Sequence, residues 1–191
     1  RSVSANSNSW YIMGLFYGKI LCHSVNFSLN KCYGNQFYCY PSADSSYTTC
    51  SFTYSSFTDN TAIRSTCIDF DMGNAKYEIK NCNILRNTQG SLNIHGTIFA
   101  AGNLMIENSC ILANTATYIF FQSSSSYTTL SNCTVDSTSN NRNLNIQNTV
   151  TKSFILALKH MSNLICHSEY DSIGTLTPII QTPSSSKKQK V

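Results

Sequence analysis

Leu92-Asn93-Ile94-His95 and Leu144-Asn145-Ile146-Gln147 share one pattern, an apolar pair split by an asparagine and followed by a polar residue. Apolar residues at every second position mark a strand with one buried face. Other segments carry the pattern on. Ile68, Ile94, Phe120 and Ile146 recur at steps of 26 residues, and two positions earlier Thr66, Leu92, Tyr118 and Leu144 keep the same step. A strand that returns at a fixed interval of tens of residues is the signature of a solenoid. Each turn of chain there buries a face it cannot bury alone.

A second ladder runs beside the first. Asn81-Cys82-Asn83-Ile84, Ser109-Cys110-Ile111-Leu112 and Asn132-Cys133-Thr134-Val135 repeat one motif, with Val25-Asn26-Phe27, Cys50-Ser51-Phe52 and Met161 as more diverged copies. Their spacing varies between 23 and 32 residues around a similar mean. Strands of fixed register joined by turns of variable length give that behaviour, because loops absorb insertions. Ile79 and Cys82 lie an odd number of residues apart, so they cannot share a face of one strand. A corner therefore falls at Asn81, and Asn108 and Asn132 hold comparable places. Asparagine tolerates the left-handed backbone of a tight corner. Asn87 and Asn114 mark the next corner, and amides stacked coil over coil can hydrogen-bond in a ladder.

Composition supports an all-β chain. The 191 residues are only 12% charged and contain three prolines, and no long segment shows an apolar stripe of helical period. Phe154-Ile155-Leu156-Ala157-Leu158 is too short to prefer a helix over a buried strand. A coil of about 26 residues suits three short strands and three turns. Five or six such coils at ~4.8 Å would make a cylinder of roughly 25–30 Å. Residues 1–19 read as a cap or incomplete coil, 20–172 as the solenoid, and 173–191 as a disordered tail or linker. The last assignment rests on Pro183-Ser184-Ser185-Ser186 and the basic Lys187-Lys188-Gln189-Lys190.

Net charge is +4, but the basic residues form no stripe, so no nucleic-acid partner is expected. No 18-residue apolar run exists to span a bilayer. The chain begins without Met and without a signal-peptide pattern, and reads as an excerpt from a longer protein. Nine cysteines occur without a CxxC pair. Cys82, Cys110 and Cys133 are expected to be reduced, buried thiols acting as small hydrophobes. Asn26-Phe27-Ser28 and Asn132-Cys133-Thr134 are glycosylation sequons that point weakly to export.

The apolar-x-Asn-Cys-x-apolar strand, its trailing Asn and the second short strand per coil resemble the right-handed parallel β-helix of the pectin-lyase-like proteins. The Cys- and Asn-rich flavour, from about residue 20 to 170, resembles the repetitive surface proteins of parasitic protists such as trichomonads. That resemblance implies an exported or surface-anchored protein, anchored elsewhere than in this segment. Its function would be non-catalytic, presenting a surface or recognising a host or extracellular protein or a glycan. The alternative it implies is a polysaccharide-active hydrolase or lyase.

Glycan hydrolysis needs paired carboxylates, one to protonate the leaving oxygen and one to activate water or attack. Among nine acids the tightest pair on a ladder strand is Asp69-Phe70-Asp71. The 26-residue step places His95 beside Asp69, in an outward column Asp69, His95, Phe121, Gln147. A carboxylate next to a histidine can fix its tautomer for acid–base work. Against this, His95-Gly96 lacks the first glycine of the hydrolases' Gly-His-Gly, and Arg86 and Arg142 have no lysine two residues on. No catalytic residue is expected on the recognition reading. Its candidate face is Ile119 with Phe121. Neither metal nor cofactor is expected. Cys22-His23 lies at the opposite end from His160 and Cys166-His167, whereas structural zinc needs four converging ligands. Gly90, Gly96 and Gly102 lack a phosphate-loop lysine.

Overall fold

The computed structural model describes residues 10–63, 66–90, 96–123 and 125–151. The fold is an all-β parallel solenoid. A first pass runs through β1 (Tyr11–Phe16), β2 (Ile20–His23), β3 (Asn26–Ser28) and β4 (Lys31–Cys32). The second comprises β5 (Asn35–Tyr40), β6 (Thr48–Thr53), β7 (Ser56–Thr58) and β8 (Thr61–Ala62), and the third β9 (Ile68–Phe70), β10 (Lys76–Lys80), β11 (Asn83–Leu85) and β12 (Thr88–Gln89). The fourth has β13 (Ile98–Ala100), β14 (Asn103–Glu107) and β15 (Cys110–Leu112), closed by a bridge from Thr115 to Thr88. Then follow β16 (Phe120–Gln122), β17 (Thr128–Ser131) and β18 (Thr134–Val135), and finally β19 (Leu144–Gln147) and β20 (Val150–Thr151).

Stacking produces four parallel sheets, in the orders β1-β5-β9-β13-β16, β2-β6-β10-β14-β17-β19, β3-β7-β11-β15-β18-β20 and β4-β8-β12. The described residues thus hold about four full turns rather than five or six, the first three with four strands rather than three and the fourth with three strands and a bridge. β1 lies inside the segment expected to be a cap or incomplete coil, and it pairs with β5 along its length. The tail expected at 173–191, with Met161 and the 154–158 run, lies outside the described residues. Among the described residues no helix is long and apolar enough to cross a membrane.

Two corners are invariant. Two residues always separate the second sheet from the third, and the first of them is left-handed: Ser24, Tyr54, Asn81, Asn108, Asn132 and Asn148, with φ from 44° to 54°. Two residues also separate the third sheet from the fourth, led by Leu29, Asp59, Arg86 and Ala113 at φ 53–58°. A single left-handed residue turns the chain sharply while its N–H stays in the intercoil ladder, as when Asn81 donates to Glu107 and Arg86 to Leu112. The strain of a left-handed Leu or Arg, about 1–2 kcal/mol, is held by that ladder. Connections on either side of the first sheet vary instead, from two residues to eight.

That variability corrects the 26-residue register. Ile68 pairs with Ile98, and Ile98 with Phe120; the steps of 30 and 22 average 26. Ile68 and Phe120 do share a column, but Leu144 and Ile146 belong to the second sheet, against Thr128 and Leu130. Leu92 and Ile94 lie outside the described residues. The cysteine ladder shifts by one as well. Cys82 stacks with Ser109 and Cys133, while Cys110 pairs with Asn83 and packs with Leu85 and Leu112 in a separate small cluster.

The core tapers. Successive coils measured at the second sheet take 30, 27, 27, 24 and 16 residues. One inward column of the third sheet reads Phe27, Phe57, Ile84, Ile111, Val135, all buried. Side-chain volume falls as the enclosing loop shortens. In the wide coils Phe37, Phe52 and Phe57 meet edge to face, with centroids 4.6 and 5.3 Å apart, each burial giving about 1.5–3 kcal/mol. In the 16-residue coil the chain no longer encloses its interior, and Ile146 is 50% exposed.

Candidate recognition face

The first sheet turns alternate residues outward. On β5 these are Tyr38 and Tyr40, between the buried Phe37 and Cys39; on β1 they are Gly14 and Phe16. Tyr11, at the start of the strand and out of that alternation, is also exposed. Gly14 is what lets the rings close up: a Cβ there would come within 2.8 Å of the Phe16 ring. Phe16 lies 5.5 Å from Tyr38, Tyr11 4.9 Å from Tyr38, and Tyr38 stacks on Tyr40 at 6.4 Å. Tyr17, left-handed and 75% exposed, extends the panel over Tyr40. Its place is fixed by its N–H to the Tyr40 carbonyl, 2.7 Å. Phe16 itself is 50% exposed.

The acids lie one coil further on. Asp69 pairs with Tyr38 on one side and Phe99 on the other, so Phe99 holds the place expected for His95, which lies outside the described residues. Asp69 is only 4% exposed. Asn35 Nδ2 donates to its Oδ2, and its Oδ1 meets no hydrogen-bond donor. Burial, and secondarily the charge of Asp71, pushes the Asp69 carboxyl well above the usual carboxylate range. Asp71 is exposed and accepts the Tyr38 hydroxyl at 2.8 Å. Burial first, then Asp71, raises the Tyr38 phenol in turn. The remaining described acids stand elsewhere. Asp59 binds Arg86 at a corner, and Glu107 binds Lys80 on the second sheet.

The pair Ile119 and Phe121 separates. Ile119 is 3% exposed and belongs to the core, a correction to the exposed place expected of it. It precedes β16, where its amide is held by Ser139, and the side chain turns inward. Phe121 points outward and half-buried, 6.0 Å from Phe99 and 5.7 Å from Tyr118. Gln147 lies on the second sheet, not in this column. Among the described residues no group of three His, Cys, Asp or Glu side chains converges for a metal. His23 instead bonds Thr53 through Nδ1 at 2.9 Å.

The second sheet carries an open groove of about 290 Å³ on its outer side, with Lys76, Glu78, Met105 and Tyr127 among its walls. The aromatic panel was not read from the sequence. Its trace is present in Phe37-Tyr38-Cys39-Tyr40, where both faces of one strand are large, and in Tyr11-x4-Phe16-Tyr17. No protein-family model matches this chain, and no curated protein and no solved structure matches it either.

Proposed function

We propose that this chain is a non-catalytic recognition module of a larger exported or surface protein, a β-helix of pectin-lyase-like kind. Its solenoid presents the aromatic panel of the first sheet to a glycan. The carrying observation is that Tyr11, Phe16, Tyr17 and Tyr38 form one contiguous outward patch whose members are partly or largely exposed. Exposed contiguous apolar surface of this kind marks binding sites. Tyrosine supplies wide, rigid contact area at little entropic cost, with a hydroxyl at its edge. Pyranose rings offer a matching C–H face and peripheral hydroxyls. Asp71 and the Tyr38 hydroxyl oxygen, whose proton goes to Asp71, supply acceptors for those at the panel's border.

A polysaccharide-active enzyme built on Asp69, Asp71 and His95 is the alternative. Support for the non-catalytic reading comes from the burial of Asp69, whose carboxyl is shut away from any glycosidic oxygen, and from the ion pairing of Asp59 and Glu107 on other faces. Glycan-array binding by the full chain tests the proposal. Phe16→Ala and Tyr38→Ala, with circular dichroism unchanged, should each weaken binding at least tenfold. A folded chain that binds no glycan, or binds equally after both substitutions, would overturn it. Turnover of polygalacturonate that disappears in Asp69→Asn would move the assignment to the enzyme.

A further inference from the structure

We infer that Cys39 and Cys50 form an interior disulfide, bridging the first and second sheets across the core, when the chain folds in the presence of a disulfide oxidant. Column positions place them face to face. Leu15, Cys39, Phe70 and Ala100 stack inward on the first sheet, while Ile20, Cys50, Tyr77 and Leu104 stack inward on the second. One coil on, the equivalent pair Phe70 and Tyr77 touches, with ring centroids 4.5 Å apart and planes at 26°. The same pair of positions therefore meets across the core, and in the coil before it is filled by two thiols. Both thiols are unlinked in the structure and fully buried.

Three of the other described thiols donate to carbonyls: Cys32 to that of Gly34, Cys82 to those of Lys80 and Phe52, and Cys133 to those of Ser131 and Ile106. Cys82 and Cys133 stand two coils apart with Ser109 between, about 9–10 Å at the strand spacing, beyond the reach of a disulfide. The intervening loop between Cys39 and Cys50 is short, and Pro41 stiffens its start. Collision of the two thiols in the folding chain is correspondingly frequent.

The chemistry is a two-step exchange. The Cys50 thiolate attacks one sulfur of oxidised glutathione, releasing one glutathione thiolate and leaving a mixed disulfide. The Cys39 thiolate then attacks the Cys50 sulfur, the S–S bond forms, and the second glutathione leaves. The two protons given up by the cysteine thiols pass through solvent to the two departing glutathione thiolates, so one oxidised glutathione becomes two reduced. Because both sulfurs are sealed in the folded chain and burial holds the Cys39 thiol protonated, exchange belongs to folding, before the core closes. The inference is independent of the glycan reading.

Refolding the full chain in a reduced and oxidised glutathione mixture, then alkylating it in denaturant and mapping peptides by mass spectrometry, tests this. The expected result is a Cys39–Cys50 cross-link, lost in Cys39→Ser and in Cys50→Ser, with Cys82, Cys110 and Cys133 alkylated. A natively folded wild-type chain with both Cys39 and Cys50 alkylated would overturn it. So would either one linked to Cys22, Cys32 or Cys67.

Discussion

Asn60 Oδ1 accepts both the main-chain N–H and the side-chain Nδ2 of Asn30, at 3.1 and 2.9 Å, one coil away. Asn60 makes the same double donation to Asn87, and Asn87 to Asn114. Each Nδ2 also reaches a carbonyl of the preceding coil: Asn60 that of Phe27, Asn87 that of Phe57, Asn114 that of Ile84. The ladder satisfies buried groups that the left-handed corner leaves without strand partners.

Loss is therefore asymmetric along this ladder. Asn87→Ala takes away the acceptor of the Asn60 main-chain N–H and the side-chain donor to the Phe57 carbonyl, while Asn60 Nδ2 keeps its bond to Phe27. At about 1–3 kcal/mol for each of the two buried groups, the cost should reach roughly 2–6 kcal/mol. Asn30 lies at the ladder's end and accepts from no rung, so Asn30→Ala should cost only ~1 kcal/mol. Urea unfolding measures both, and equal costs would show that the amides do not act as a ladder.

Burial depth at the two ends of the taper separates another pair. Ile111→Asp puts a charge in a closed core with no partner, and should unfold the chain at room temperature. Ile146→Asp, at the half-open final coil, should change stability by less than about 1 kcal/mol. Thermal melts would decide; an Ile146→Asp chain as damaged as Ile111→Asp would contradict the observed closure.

Cys82 accepts the Ser55 N–H at 3.4 Å and donates to Lys80, in a column where Ser55 and Ser109 do the same work with hydroxyls. Cys82→Ser should be within about 1 kcal/mol of wild type, whereas Cys82→Ala leaves the buried Ser55 N–H unpaired and should cost ~1–3 kcal/mol. The order of the two unfolding midpoints is the readout. A lower midpoint for Ser than for Ala would mean that the thiol acts only as an apolar filler.

Asp69 gives a pH dependence of definite sign. Its folded pKa is raised, so the folded state holds a proton that the unfolded state has released once pH exceeds the ordinary carboxylate value of 3.8. Stability then falls as pH rises from that value through the folded pKa. Asp69→Asn keeps the bond to Asn35 and removes the charge. It should leave stability near pH 4 unchanged and raise it at pH 7 by about 1–3 kcal/mol. Parallel pH profiles for variant and wild type would show that Asp69 is not the group responsible.

What the sequence discloses follows from how each feature is enforced. Asn81, Asn108 and Asn132 are legible as corners because few residues other than asparagine and glycine take the left-handed backbone cheaply. Asn87 and Asn114 are legible for a second reason, since a stacked amide has no cheap substitute. The column through Ile68 is only half legible. Its coil steps of 30 and 22 compensate, so an even period of 26 skipped Ile98 and misassigned Leu144 and Ile146. Serine and cysteine are interchangeable at Ser109, so matching letters drew the ladder to Cys110. The panel around Tyr38 was hidden because large aromatics fill both faces of β5, and alternation of polarity therefore gives no signal there.

The taper bears on assembly. A solenoid of constant girth exposes at each end a row of unpaired strand edges that fits the other end of a second copy, and such matched rims invite filaments. Here the described coils begin with a 30-residue girth and finish with one of 16. A 16-residue coil stacked on a 30-residue one would leave most of the wider edge without partners, so the described coils are not interchangeable rungs, and each accepts as neighbour only a coil of similar girth.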